Sequence, residues 1–281
     1  MSDQGVKIAG VVGDPISHSL SPKLHGFWIK KYGVYGDYVA FHVASNELPD
    51  FIDRLRPNNI EGVNLTVPHK EISLSLVDKL DETAKKIGAV NTIYFDKDGK
   101  MVGSNTDGYG FLKHLEASVV NWKSQKSKCV IIGAGGAARA VIVSLLDDGV
   151  HELIITNRTL SRAEGLAREL ADKRVNVIPW ESREQALINA DLLVNVTTLG
   201  MTGQPELELS LHNLPTAAVV YDIVYSPLET PLLEDARRRG NKTVDGLGML
   251  LHQAVPGFQA WFGITPEVDQ ELRDHLLEAL R

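Results

Sequence analysis

Cysteine is nearly absent: Cys129 is the only one in 281 residues. No disulfide can close within the chain, and a thiolate metal cage is out of reach. Cys129 sits in the apolar run "CVIIG", a buried strand position rather than a reactive one. Long apolar runs are missing too, since none approaches the roughly 20 residues of a spanning helix. The start, "MSDQGVKIAG", places Asp3 where a leader would carry a basic residue before an apolar stretch. The chain therefore reads as cytoplasmic and without a membrane partner. Excess positive charge is also lacking. A formal net charge of −7 argues against non-specific nucleic-acid binding, though a small anionic ligand answers to local charge. Metal-ligand spacing is absent among His18, His25, His42 and His69, so no metal is expected. Trp28, Trp122, Trp180 and Trp261 read as core or domain-surface aromatics rather than a stacking platform for bases. There is no internal repeat and no low-complexity segment.

What is present is the ordinary globular mix, 43% hydrophobic and 23% charged. A chain of 281 residues makes two modest domains or one large one, with a core that needs no staple. Short β-branched runs alternate with amphipathic stretches, the sign of an α/β protein with largely parallel sheets. Strands are expected at "KIAGVVG", "DYVAFHV" and "GVNLTV", with a further pair at "AVNTIYF" and "MVGSN". In "SPKLHGFWIKKYG" a helix opens with Ser21 as N-cap and Pro22 in the first helical position. The later part has strands at "KCVIIG", "ELIITN", "NVIPW", "DLLVNV" and "AVVYDIV", with helices such as "LSRAEGLARELA" between them. "GLGMLLHQAVPGFQAWFG" and "PEVDQELRDHLLEAL" read as two terminal helices. In the second of these, Val268, Leu272, Leu276 and Leu280 share one face.

The segment "VIIGAGGAARA" puts Gly133, Gly135 and Gly136, with Ala134 and Ala137 among them, between an apolar strand and an alanine-rich helix. Glycines let the backbone turn tightly and approach a pyrophosphate, whose charge sits at the helix N-terminus. A strict fingerprint would have a third glycine where this chain has Ala138, an allowed variant. Strand, loop, helix and next strand come in order, which points to a Rossmann-type dinucleotide site. NAD sites usually carry an acid at the end of the second strand to hold the ribose hydroxyls. This chain has Asn157, Arg158 and Thr159 there, with Arg162 one turn on. Cations are mildly unfavourable at a helix N-terminus, so two of them suggest an anion to bind, and an arginine fork suits a 2′-phosphate. The cofactor is read as NADP.

A Rossmann unit that starts mid-chain needs a partner to hold substrate. "GDPISHSLSPKLH" offers Ser17, Ser19 and Ser21, and "NLTVPHK" offers Asn64, Thr66 and Lys70. "GAVNT" adds Asn91, and "GSNTDGYG" adds Asn105, Thr106 and Asp107. All fall at or just past predicted strand ends, where open α/β sheets bind ligands. Hydroxyls, amides, one cation and one carboxylate match a polyhydroxylated carboxylic acid. In order and along essentially the whole chain, these motifs with "GAGGAARA", "NRTLSRA" and "LLHQA" resemble the shikimate dehydrogenase family.

That resemblance implies an N-terminal α/β substrate domain with a mostly parallel sheet, plus a doubly wound Rossmann-type domain. The substrate domain would take residues 1–107 and 247–281, and the NADP domain residues 108–246. It implies Lys70 and Asp107 as the catalytic pair and Ser19 and Ser21 on the substrate carboxylate, with Tyr225 near it. Asn64, Thr66, Asn91 and Gln253 would bind ring hydroxyls. Thr197, Ile223 and Gly246 would join the cofactor set. The implied activity is reversible NADPH-dependent reduction of 3-dehydroshikimate to shikimate, in the biosynthesis of aromatic amino acids. A lysine at the carbonyl oxygen would stabilise developing charge and supply the proton. Two alternatives stay open: a quinate dehydrogenase using NAD, and a ligand sensor without turnover, although neither Lys70 nor Asp107 is substituted. The expected partner is a small-molecule substrate, and the chain would be a monomer or homodimer.

Overall fold

The computed structural model describes residues 5–122 and 128–280, so Asp3 lies outside it. The chain divides into two compact units, Met1–Thr106 with Leu251–Arg281, and Asp107–Leu250. No described helix is long and apolar enough to cross a membrane.

The first unit runs β1 (Lys7–Gly13), α1 (Ser21–Lys31), β2 (Gly36–His42), α2 (Leu48–Asp53), β3 (Ile60–Leu65), β4 (Lys79–Leu80), α3 (Glu82–Ile87), β5 (Thr92–Phe95) and β6 (Met101–Ser104). Its sheet has the order β2-β1-β3-β5-β6-β4. Only β5 runs against its neighbours β3 and β6, because a short turn joins it to β6. There Asp96 Oδ1 accepts the N–H groups of Asp98 and Lys100 at 3.0 and 2.8 Å. Val12, Val63, Leu65 and Ile93 pack on Leu48, Ile52 and Leu55 to form one core.

The opening of α1 corrects the sequence expectation. Ser21 is the first helical residue, not the cap; Leu20 holds the cap position without a side-chain bond. Ser19 Oγ instead accepts the Ser21 N–H at 3.3 Å. One residue earlier in the chain, a serine reaches an orphan donor that a leucine cannot.

The second unit continues with α4 (Asp107–Ser118), β7 (Lys128–Ile132), α5 (Gly136–Asp147), β8 (Glu152–Thr156), α6 (Leu160–Leu170), β9 (Val175–Ile178), α7 (Arg183–Ala186), β10 (Leu192–Asn195), β11 (Val219–Asp222), α8 (Pro231–Arg238) and β12 (Lys242–Val244). Its six strands are all parallel in the order β12-β11-β10-β7-β8-β9. Read from β9, this is the doubly wound order of a Rossmann fold, with its switch point between β7 and β10. Cys129 and Ile131 face one core cluster, Val130 and Ile132 the other. A strand covered on both faces needs such a continuous apolar run.

The chain ends in α9 (Leu247–Phe262) and α10 (Gln270–Ala279). From Leu251 onward it belongs to the first unit. Trp261 Nε1 donates to Ile93 O at 2.9 Å, and Trp28 Nε1 to Glu267 O at 3.1 Å. Leu272 and Leu276 are buried, while Val268 and Leu280 flank the helix rather than belong to it.

Candidate active site

In the first unit, parallel register carries β1 and β3 to a common end, where β1 stops at Gly13 and β3 at Leu65. Thr66 follows at once. Its N–H donates to Val12 O at 3.0 Å, and its methyl covers Gly13, where an added Cβ would come within 2.5 Å of it. The segment that carries Lys70 runs beside the start of β5. Val90 N–H donates to Lys70 O, and Leu65 N–H to Asn91 O, both at 2.8 Å. Lys70 is half-buried; Asn64 and Asn91 are buried.

Polar side chains on this face form a directed chain of hydrogen bonds. The Tyr38 hydroxyl donates to Asn64 Oδ1 at 2.7 Å. Asn64 Nδ2 donates to Thr92 Oγ1 at 3.0 Å and to Asn91 O at 3.2 Å. Thr92 Oγ1 donates to Asn91 Oδ1 at 2.9 Å, and Asn91 Nδ2 donates to Thr106 Oγ1 at 3.0 Å. Thr106 N–H closes on Asn91 Oδ1 at 2.9 Å. Ser21, buried at the start of α1, is a further polar neighbour of the Tyr38 hydroxyl. Ser21, Asn64 and Asn91, with Thr106, are thus joined through Tyr38 and Thr92. Ser19 is tied to Ser21 by its cap bond, and Gln253 stands half-buried in α9.

In the second unit, the candidates fall at the carboxyl ends of β7, β8, β10, β11 and β12. Gly133 has φ +120°, and a Cβ there would lie 2.8 Å from Thr197 Cγ2. Its N–H donates to Thr156 O at 2.8 Å, joining the loop to the end of β8. Asn157 Nδ2 closes that turn on Thr159 O at 2.8 Å. Arg158 and Arg162 are exposed, and no acid stands in the first turn of α6. Gly246 lies so close to Ile223 that an added Cβ would sit 2.1 Å from the Ile223 carbonyl oxygen. Asp107, buried, is the first residue of α4. Tyr225 follows β11, and burial holds its pKa above the ordinary value.

Three family models match along the chain. Residues 11–93 match the shikimate dehydrogenase substrate binding domain, residues 115–228 shikimate / quinate 5-dehydrogenase, and residues 246–270 the shikimate 5'-dehydrogenase C-terminal domain. The shikimate dehydrogenase (NADP(+)) of Rhodospirillum rubrum is 50% identical over 274 residues, which is 96% of this chain and 97% of that one. The chain belongs to the shikimate dehydrogenase family. Two solved structures share its fold over nearly the whole length. The shikimate 5-dehydrogenase of Thermus thermophilus, in complex with NADP(H) and shikimate, is 35% identical with a TM-score of 0.84, covering 99% of each chain. The quinate dehydrogenase of Corynebacterium glutamicum, in complex with NAD, is 31% identical with a TM-score of 0.89, covering 97% of this chain and 99% of that one.

Within this shikimate dehydrogenase family member, two polar groups escaped the sequence reading. One is Tyr38 with Thr92. The other is Asp222 at the end of β11, whose Oδ1 accepts from Asn195 Nδ2 and Val224 N–H, both at 3.0 Å, and whose Oδ2 accepts from Thr230 at 2.7 Å. Asn195 Oδ1 in turn accepts from Thr197 Oγ1 at 2.7 Å. Burial pushes the Asp222 pKa up to about 6. The available signal was a polar residue inside an apolar strand run, as in "VYDIV" and "VNV".

Proposed function

We propose that the chain is an NADP-dependent shikimate dehydrogenase that reversibly reduces 3-dehydroshikimate to shikimate and works in the cytoplasm. Residues 1–107 and 247–281 hold the substrate; residues 108–246 hold NADP. The reading rests above all on one observation: buried, mutually bonded amides in the first unit stand in the same chain as an uncapped glycine loop in the second.

That loop fits the cofactor. Gly135 caps α5 without a side-chain bond, and a Cβ at Gly135 or Gly136 would meet nothing within 4 Å. The first amides of α5 are therefore left to a bound pyrophosphate. Thr159 caps α6 equally bare, which leaves Arg158 and Arg162 to a 2′-phosphate. Thr197, Ile223 and Gly246 line the remaining strand ends. When bound, NADPH supplies the hydride for the ring ketone, and NADP+ takes it back in the reverse direction.

Lys70 donates its proton to the carbonyl oxygen as negative charge develops there, and solvent restores it. Asp107 orients the ammonium and shares the substrate hydroxyl. Ser19 and Ser21 bind the carboxylate with Tyr225; Asn64, Thr66, Asn91 and Gln253 bind ring hydroxyls. Asn91 is held by Thr106 N–H and Thr92, so it meets the substrate without reorganising, which is how fixed dipoles contribute most.

The test follows NADPH absorbance with shikimate and NADP+, running quinate and NAD+ in parallel. Fast reduction confined to shikimate with NADP+ is expected. Reduction mainly with quinate or NAD+ would overturn the substrate or cofactor assignment, and binding without turnover would make the chain a sensor.

A further inference from the structure

The Asn64 amide cannot choose its orientation. Both Nδ2 hydrogens are committed inward, to Thr92 Oγ1 at 3.0 Å and Asn91 O at 3.2 Å. Its Oδ1 takes the Tyr38 hydroxyl at 2.7 Å and keeps one lone pair. A flipped amide would set Oδ1 against the Asn91 carbonyl oxygen, which can only accept, so that backbone contact fixes the orientation. Tyr38 is itself fixed. It is 4% exposed, and the fully buried His25 stacks on its ring at 3.9 Å between centroids and 8° between planes. His25 is wedged in turn by Trp28, edge-on at 5.7 Å, and by Phe258 at 5.9 Å. Neither imidazole nitrogen has a hydrogen-bond partner among the described residues. The histidine acts as a flat spacer that fixes the plane of the phenol ring. Burial also keeps the phenol's pKa well above the ordinary range, so it stays a donor at any working pH.

We infer that Tyr38, clamped by His25 and seconded by Thr92, is a positioning residue that presents Asn64 to the substrate as an acceptor only. The site then demands a ring hydroxyl that donates at that carbon and rejects an oxo or deoxy group there. The geometry explains why one strand carries a tyrosine and another a threonine on the same face. Tyr38 stands beside Ala9 and Asn64 beside Val11 across β1, while Thr92 is the partner of Asn64 on β5. Ala9 and Val11, two residues apart, share that face, and the small Ala9 leaves room for the phenol to pass over.

This inference rests on the assignment of shikimate as substrate, and the experiment separates the two. Steady-state kinetics are measured on wild type, Tyr38→Phe, Thr92→Val and Thr92→Ser, with shikimate and with the two monodeoxy shikimates that each lack one non-reacting hydroxyl. With shikimate, Tyr38→Phe and Thr92→Val should each raise KM about tenfold, the size of one lost hydrogen bond in a polar site. Turnover at saturation and the KM for NADP+ should stay within about threefold, and Thr92→Ser should restore the KM. With one of the monodeoxy analogues, wild type and Tyr38→Phe should become equal. An unchanged shikimate KM in Tyr38→Phe overturns the inference. So does a parallel rise in the KM of NADP+, which would mark general loosening, or a tenfold gap that survives with both analogues. If Thr92→Val fails to fold, Tyr38→Phe decides alone, since it keeps the stacked ring. No turnover of shikimate by wild type would instead overturn the substrate assignment.

Discussion

Lys70 and Arg158 are both cations at strand ends, and what surrounds each one separates the tasks proposed for them. Lys70 leads from a strand end into a segment bonded to the start of β5, next to the buried amides. In the proposed role its proton matters only when charge develops on a substrate oxygen, so Lys70→Ala should cut turnover by roughly 10²–10⁴-fold while shikimate binding weakens only a few-fold. Near-normal turnover would remove the lysine from the mechanism. Arg158 is exposed beside the bare cap of α6. Arg158→Ala should raise the KM for NADP+ about tenfold, the worth of a charge-assisted fork on a phosphate, and leave the KM for NAD+ unchanged. Equal changes with both cofactors would mean that the arginine does not read the 2′-phosphate. Both proposals come from local signals in the sequence: a lysine after "NLTVP", and arginines where an acid is usual. Tyr38 was not legible. It meets Asn64 from 26 positions away, through a register that only the folded sheet sets.

At the scale of elements, most strands read from β-branched runs fell within a residue or two of their places, and "KIAGVVG" coincides with β1, whereas "AVNTIYF" begins three residues ahead of β5 at Thr92. The expected "GVNLTV" instead belongs to a strand that begins two residues earlier, at Ile60, and stops at Leu65. Its end is set by contacts the sequence does not display, since Thr66 turns its N–H to β1 and the next residues leave the sheet. The same strand contains Gly62, with φ +154°, whose missing side chain makes room for α9. A Cβ there would lie 2.1 Å from Ile93 O and 2.3 Å from Trp261 Nε1, the two atoms whose bond ties α9 to β5. Gly62→Ala must therefore strain the backbone and displace that bond. A loss of about 3 kcal/mol is expected, seen as a Tm lower by roughly 5–10 °C. A Tm within a degree of wild type would show that the helix moves aside freely. From sequence the glycine looked like part of a strand run, because its use depends on a helix some two hundred residues later.

For the whole molecule, two buried groups pull stability in opposite directions as pH falls. Burial lowers the His25 pKa from 6.5 to about 3. The folded state then binds fewer protons than the unfolded one, so stability drops as pH falls below 6.5 and levels off near 3. Burial raises the Asp222 pKa from 3.8 to about 6, although Val224 N–H, Thr230 and Asn195 favour the charged form. The folded state binds more protons there, so that contribution is complete below 3.8 and is lost as pH rises through 6. Between pH 7.5 and 5, His25 costs ~2 kcal/mol and Asp222 returns ~1 kcal/mol, so the two partly cancel. The groups packed on His25 do not blur this, because Trp28, Phe258 and Trp261 do not titrate and Tyr38 stays neutral. His25→Phe keeps a ring on Tyr38 and deletes only the titrating nitrogens. Relative to wild type, the variant should therefore gain ~2 kcal/mol on going from pH 7.5 to 5, read from urea unfolding at each pH. Identical pH dependence in the two proteins would mean that His25 reaches water when protonated. The buried stack behind Asn64 would then be looser than its geometry implies.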